Sequence, residues 1–237
     1  ARTTVAPTLR VDGPELEKCV NNHDERIERF KKAGLYLVTS QALSEGRSTV
    51  DIVRHALVAG AKLIQLREKD LPLRQLLELA RDVRALTEPY GCLLIINDRI
   101  DVALAVGADG VHLGLEDLPI ESARAIGPEL IIGSSSHTME EAREAEADGA
   151  SYVNVGPIYP TKTKNWTDAY LGIEGLKKIS ECVSIPFTVM GGIKRAHIPE
   201  LRSAGARTIA LVTAVTAAPS PEKAVRELLE DITCQAS

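Results

Sequence analysis

The stretch Ala59-Gly60-Ala61-Lys62-Leu63-Ile64-Gln65-Leu66-Arg67-Glu68-Lys69 holds the architecture in miniature. A Gly-Ala pair comes first, and glycine just past a helix takes the left-handed conformation that ends one. An apolar run follows and reads as a strand over 62–67. Side chains alternate faces along a strand, so Gln65, Arg67 and Lys69 share one face. One amide and two cations thus project together from a strand end. Alone, such a triplet also reads as a solvated terminus, because charged surface is the norm.

The Gly-Ala pair recurs at Gly107-Ala108, Gly149-Ala150 and Gly205-Ala206. Its copies precede the second, fourth, sixth and eighth of eight strand patterns, at 35–39, 62–67, 93–96, 110–113, 130–134, 152–155, 186–190 and 208–212. Helical patterns alternate with them at 48–59, 72–87, 100–106, 120–126, 139–147, 173–182, 196–204 and 222–232. The last opens well, with Ser220 before Pro221. A doubly wound sheet has no need of so regular a repeat, so the pattern predicts an α/β fold, a (β/α)8 TIM barrel. Residues 34–237 form this barrel domain. Residues 1–33 are a partly helical N-terminal extension, loose over 1–10. Over 14–32, Leu16, Cys19, Val20, Ile27 and Phe30 fall near one helical face, which predicts a helix packed on the outside of the domain.

The 237 residues suit one such barrel. Hydrophobic content of 44% with only 3% aromatics calls for a core of Val, Ile, Leu and Ala. A net charge of −5 argues against a nucleic-acid surface, so any basic site is local. Cys19, Cys92, Cys182 and Cys234 show neither a CxxC nor zinc spacing. Reduced cysteines in a cytoplasmic protein are expected. No apolar run reaches the roughly 18 residues of a membrane span, and no signal peptide is legible. The acids of the extension argue against a transit peptide. The start at Ala1 without Met reads as a processed or trimmed end. A homo-oligomer is left open.

Barrel active sites sit at the C-terminal ends of the strands. Those ends carry Asn97-Asp98, His112, Glu116-Asp117, Ser134–His137, a long loop from Gly156 to Lys164, Gly191-Gly192 and Val212-Thr213. Asp98 and Asp117 follow consecutive strands, about 5 Å apart if paired. Carboxylates that close call for a cation, and Mg²⁺ held by one or two of them plus substrate phosphate is a standard arrangement. Each also reads as a turn or cap residue. Gly191-Gly192 lets a backbone approach a ligand, and the loops after strands seven and eight often cradle phosphate. The threonines and lysines of 161–164 suit phosphate oxygens, or a soluble loop. His112 reads as an inward, structural histidine; His23, His55 and His197 look peripheral.

Taken in order, QLREK (65–69), IINDR (95–99), GVHLGLED (110–117), GSSSHT (133–138), GPIYPTKTK (156–164), GGI (191–193) and Val212-Thr213 resemble the thiamin phosphate synthase family over nearly all of 34–232. The resemblance implies a transferase that joins a pyrimidine diphosphate to a thiazole phosphate, releasing pyrophosphate, with Mg²⁺. Carried over by position, Gln65, Leu66, Arg67, Glu68, Lys69, Asn97, Ser135 and Lys164 bind the pyrimidine diphosphate. Arg67, Lys69, Lys164 and Ser135 act in catalysis, and Asp98 and Asp117 hold Mg²⁺. Thr161, Lys162, Thr163, Gly192, Val212 and Thr213 hold the thiazole phosphate, the last three largely through backbone amides. The segment 161–170, with the sole tryptophan Trp166, is the expected lid. Leu115, Met190, Thr213 and Ser40 depart from the usual Gln, Ile, Ser and Asp. The family also includes thiazole tautomerases, which tend to lack the acidic pair and in which a His at the position of His137 is implicated in proton transfer. The two acids favour the synthase over that reading, and over a non-catalytic phosphate-binding barrel.

Overall fold

The computed structural model describes residues 15–161 and 169–233. Helix α1 (Glu15–Lys31) leads into β1 (Leu35–Val38), α2 (Thr49–Val58), β2 (Leu63–Leu66), α3 (Leu73–Thr87) and β3 (Leu93–Asn97). Next come α4 (Ile100–Val106), β4 (Gly110–Leu113), α5 (Ile120–Ile126), β5 (Ile131–Ser136), α6 (Met139–Ala147) and β6 (Tyr152–Val155). The chain ends with α7 (Gly172–Ser180), β7 (Phe187–Val189), α8 (Ile198–Ser203), β8 (Thr208–Leu211), α9 (Thr213–Thr216) and α10 (Pro221–Thr233). The strands pair in sequence order, all parallel, and β1 closes on β8. This is the expected (β/α)8 barrel.

Parallel strands covered on both faces must be apolar on both, which explains runs such as Leu93-Leu94-Ile95-Ile96. The outward residues pack with the helices: α3, for example, buries Leu76, Ala80 and Val83 at helical spacing. The inward residues, among them Tyr36, Val38, Leu63, Leu93, Ile95, Ile131, Tyr152 and Ala210, form a separate inner core.

The four Gly-Ala pairs do one job. Gly60, Gly107, Gly149 and Gly205 all have positive φ, of 101°, 62°, 93° and 94°. The alanine amide after each reaches back five residues, in Ala61 N to Ala56 O (2.9 Å), Ala108 N to Ala103 O (2.9 Å), Ala150 N to Ala145 O (2.9 Å) and Ala206 N to Leu201 O (3.0 Å). That is the Schellman closure, which satisfies a helix-end carbonyl and turns the chain into the next strand.

Helix α1 corrects an expectation. It is not packed on the outside: Phe30 is fully buried in the inner core, its ring 4.4 Å from that of Tyr152 and 6.2 Å from that of Tyr36. The helix therefore floors the barrel at the end opposite the strand C-termini. It is pinned there by Arg26 Nε, 3.3 Å from the carboxylate of Asp109. Asp109 also pairs with Arg84 (2.9 Å) and accepts the Leu94 amide (2.9 Å), so its buried charge is compensated. No described helix is long and apolar enough to cross a membrane.

Candidate functional site

The C-terminal ends of the strands surround a cavity of about 410 Å³. Gln65, Arg67 and Lys69 all line it, as alternation along β2 requires. Leu66 and Glu68 point the other way. Leu66 is buried in the outer core. The Glu68 carboxylate accepts from Thr39 Oγ1 (2.9 Å), the Gln41 amide (2.9 Å) and Thr49 Oγ1 (2.6 Å). It ties the end of β2 to the β1–α2 connection, and neither side chain lines the cavity.

Asn97 ends β3, and Asp98 follows in left-handed backbone with φ 61°. Aspartate tolerates that region better than most non-glycine residues. The Asp98 amide donates to His112 O (2.8 Å), which fixes the turn against β4. Asp117 Oδ2 accepts the Gly114 amide at 2.7 Å. The two carboxyls meet: burial first, and then the hydrogen bond with Asp117, push Asp98 above the ordinary carboxylate range. Lys69, at 3.2 Å, pulls the other way. Such a pair wants a proton or a cation between its members. It fits Mg²⁺, which takes few protein carboxylates and completes its shell with water and phosphate oxygens. Among the described residues, no group of three or more His, Cys, Asp or Glu could form a closed metal cage.

Below the cavity runs a chain of polar side chains. Gln65 Nε2 donates to Tyr36 OH (2.7 Å), and Tyr36 OH bonds Tyr152 OH (2.8 Å). Tyr152 OH lies 3.0 Å from His112 Nδ1, and His112 Nε2 lies 3.1 Å from Ser135 Oγ. Burial raises both phenols, so each keeps its proton. Burial is also the largest influence on His112, taking it down to about 4; Asp117 raises it, while Arg67 and Lys69 lower it further. The imidazole is neutral at pH 7. His112 faces inward, as expected, with both nitrogens engaged.

Gly192, Val212, Thr213 and Thr161 line the far side of the cavity with Gly191 and Ala214. Gly191 and Gly192 have φ of 99° and 64°. A Cβ on Gly192 would lie 2.3 Å from Pro160 O, and one on Gly191 2.5 Å from Pro157 Cβ. The pair is thus shaped by the loop after β6 packing on it, as well as by any ligand. After Val212 the chain turns into α9, a helix that the sequence pattern left as the end of a strand. Its first amides have no intrahelical acceptor. Lys162, Thr163, Lys164 and Trp166 lie outside the described residues.

Three polar side chains of the cavity have no role in the synthase assignment. Asn154 is inward on β6, with Oδ1 accepting from Thr188 Oγ1 (2.7 Å) and Nδ2 3.5 Å from Met190 Sδ. It sits two residues after Tyr152 in the same strand, so it can be found only once the inward register of that strand is known. Lys194 adds a cation beside Gly192. His137, noted only for its tautomerase counterpart, lines the cavity with Nδ1 3.0 Å from Glu141 Oε2.

The family profile described as thiamine monophosphate synthase matches residues 35–215. The chain is 46% identical over 200 residues to a thiamine-phosphate synthase of Moorella thermoacetica, covering 84% of this chain and 95% of that one. To the thiamine-phosphate synthase of Pyrococcus abyssi it is 48% identical over 198 residues, covering 84% and 94%. The solved thiamine phosphate pyrophosphorylase of Pyrococcus furiosus superposes with a TM-score of 0.79 at 42% identity, covering 87% of this chain and all of that one. The match spans every strand and all the cavity-lining loops, and on that ground the chain belongs to the thiamine monophosphate synthase family and is a transferase.

Proposed function

We propose that the cavity joins a pyrimidine diphosphate to a thiazole phosphate, forming thiamin phosphate and pyrophosphate. One observation carries the reading: a contacting carboxyl pair, Asp98 and Asp117, stands beside Lys69 and Arg67 in a cavity whose far side is the Gly191-Gly192 and Thr213 backbone. Asp98 and Asp117 would hold Mg²⁺, which supplies charge neutralisation for a diphosphate. Arg67, Lys69 and Lys164 bind the diphosphate oxygens, and charged hydrogen bonds of this kind are the strong ones. Gln65, Asn97 and Ser135 orient the pyrimidine. Thr161, Lys162, Thr163 and the amides of Gly192, Val212 and Thr213 take the thiazole phosphate, an arrangement suited to anions.

In the reaction, the C–O bond between the pyrimidine's exocyclic methylene and the diphosphate breaks, and its electron pair leaves with pyrophosphate. The thiazole nitrogen lone pair then forms the new N–C bond to that methylene. The nucleophile has no proton to lose, so the site needs no general base. Cations aimed at the departing diphosphate lower the barrier, and holding the two rings in line supplies much of the rest. Water must be kept from the pyrimidine cation; the segment expected to do so, 161–170, lies mostly outside the described residues.

The test is direct. Protein, both substrates and Mg²⁺ are mixed, and thiamin phosphate is followed. His137, with its carboxylate partner, favours a second reading, thiazole tautomerisation, in which a base held by Glu141 moves a proton. Thiamin phosphate formation that survives His137→Asn and vanishes in Asp98→Ala supports the synthase; no thiamin phosphate, with isomerisation of the thiazole phosphate that is lost in His137→Asn, supports the tautomerase.

A further inference from the structure

Gln65 on β2 and Ser135 on β5 face one cavity from separated strands. They are nevertheless the two ends of one hydrogen-bond chain, through Tyr36 of β1, Tyr152 of β6 and His112 of β4. A phenol has one hydrogen to give. If Tyr36 accepts from Gln65, it must donate to Tyr152, and Tyr152 must donate to His112 Nδ1. The neutral imidazole then carries its hydrogen on Nε2 and gives it to Ser135 Oγ. Ser135 is left with its own hydrogen for the cavity.

The Gln65 end sets this direction. Arg67 and Lys69 stand on the same strand face and also line the cavity. Gln65 Nε2 donates down to Tyr36 OH at 2.7 Å, so the carbonyl oxygen is the end of the amide left for the cavity, on the strand face that also carries Arg67 and Lys69. The opposite polarity would aim NH₂ at the cations and leave Ser135 no hydrogen for a ligand.

The chain is also built to stay in place. A Cβ on Gly133 would lie 2.1 Å from Tyr152 Cζ and 2.4 Å from its hydroxyl, so this strand position must be bare for the phenol to reach His112. Glycine otherwise weakens a strand, and close approach is one reason to keep it. From below, Phe30 backs the Tyr152 ring.

We propose that Tyr36, Tyr152 and His112 form a one-way relay that fixes His112 as the Nε2–H tautomer, presenting Ser135 as a donor and Gln65 as an acceptor to the ligand. The three are positioning residues, acting through Gln65 and Ser135. The proposal rests on the assignment of those two to the pyrimidine diphosphate.

Two measurements on the full chain test it. In protein labelled with ¹⁵N-histidine, the signal lost in His112→Asn identifies His112. Its ring is expected to show a protonated Nε2 and a bare Nδ1 at neutral pH. Tyr152→Phe, which keeps the ring and removes the hydroxyl, is expected to raise KM for the pyrimidine diphosphate by about tenfold. KM for the thiazole phosphate should hold. In a Ser135→Ala background the same change should act by less than about twofold, because its route to the ligand is gone. Tyr36→Phe cuts the relay one link earlier and should raise the same KM, keeping part of its effect in the Ser135→Ala background because it also frees the Gln65 amide; this covers a failure of the first variant to fold. An Nδ1–H tautomer in the unaltered protein would overturn the relay. So would an equal factor for Tyr152→Phe with and without the Ser135 hydroxyl. If the unaltered protein forms no thiamin phosphate, the functional reading falls, while the tautomer still decides the relay.

Discussion

Asp98 carries the heaviest chemical load of any single residue here. Its backbone is left-handed, its carboxyl meets Asp117, and Lys69 reaches it. Asp98→Ala and Asp117→Ala should abolish thiamin phosphate formation and leave the barrel folded, since both sit on loops. Turnover against Mg²⁺ and thermal unfolding, read together, check this; near-normal turnover in both variants would sink the synthase mechanism. A pH dependence follows as well. Between the ordinary aspartate pKa and the raised one, the folded state keeps a proton that the unfolded state has lost. Raising pH through that window therefore costs the metal-free protein stability. Mg²⁺ bound by the two acids, as proposed, would displace the same proton, so its affinity should fall on acidification, beginning above the usual carboxylate range. Calorimetry of Mg²⁺ binding across pH would show it; a flat profile down to that range would contradict it. Arg67→Ala should weaken pyrimidine diphosphate binding by about 1.5–3 kcal/mol and thiazole phosphate binding little. Equal losses would mean the division of the site is wrong. At this scale the sequence was readable where alternation alone decided. Gln65, Arg67 and Lys69 line the cavity, while Leu66 and Glu68, carried over with the whole run, face away, as the same alternation rule demands.

At the scale of elements, the Gly-Ala repeat is what made the barrel legible. Every helix that leads into a strand must stop and turn, and four of them, α2, α4, α6 and α8, do so through the same Gly-Ala closure. The glycine there is required by φ, and the buried alanine by the strand entry that follows. Gly60→Ala should cost about 1–2 kcal/mol, the penalty of a left-handed alanine. Near it only Leu229 Cδ1 approaches a new Cβ, at 3.7 Å, so the loss would be conformational rather than steric. Denaturant unfolding measures it, and an unchanged midpoint would remove the closure from the account. Helix α9 escaped because its four residues are too short to show a 3.6-residue period. The strand pattern simply ran on into Val212. Asn154 escaped for another reason. An asparagine inside a strand has no signature until the inward register of its neighbours is known.

At the scale of the whole molecule, the sequence showed a helix over 14–32 but not what it covers. Its apolar stripe fits a helix lying on any apolar surface; only the closed barrel creates an open floor that needs one. The floor is filled chiefly by one ring. Phe30 is fully buried among Tyr36, Tyr152, Leu93 and Ile131, and Arg26 fastens the helix through Asp109. Phe30→Ala should cost about 3–5 kcal/mol, since the removed ring leaves a cavity that strands locked in a closed sheet cannot collapse to fill. Phe30→Leu should cost clearly less, because it keeps most of the volume. The effect should also be felt above. Tyr152 loses its backing ring, and with it the firm placement of the hydroxyl that meets His112. KM for the pyrimidine diphosphate should therefore rise in Phe30→Ala even at temperatures where the variant stays folded, while KM for the thiazole phosphate, held on the far side of the cavity, should not. Unfolding curves and the two KM values from one preparation give both readings. A variant as stable as the parent would show that α1 merely rests beneath the barrel. A stability loss with both KM values unchanged would confine Phe30 to packing and separate the floor from the site.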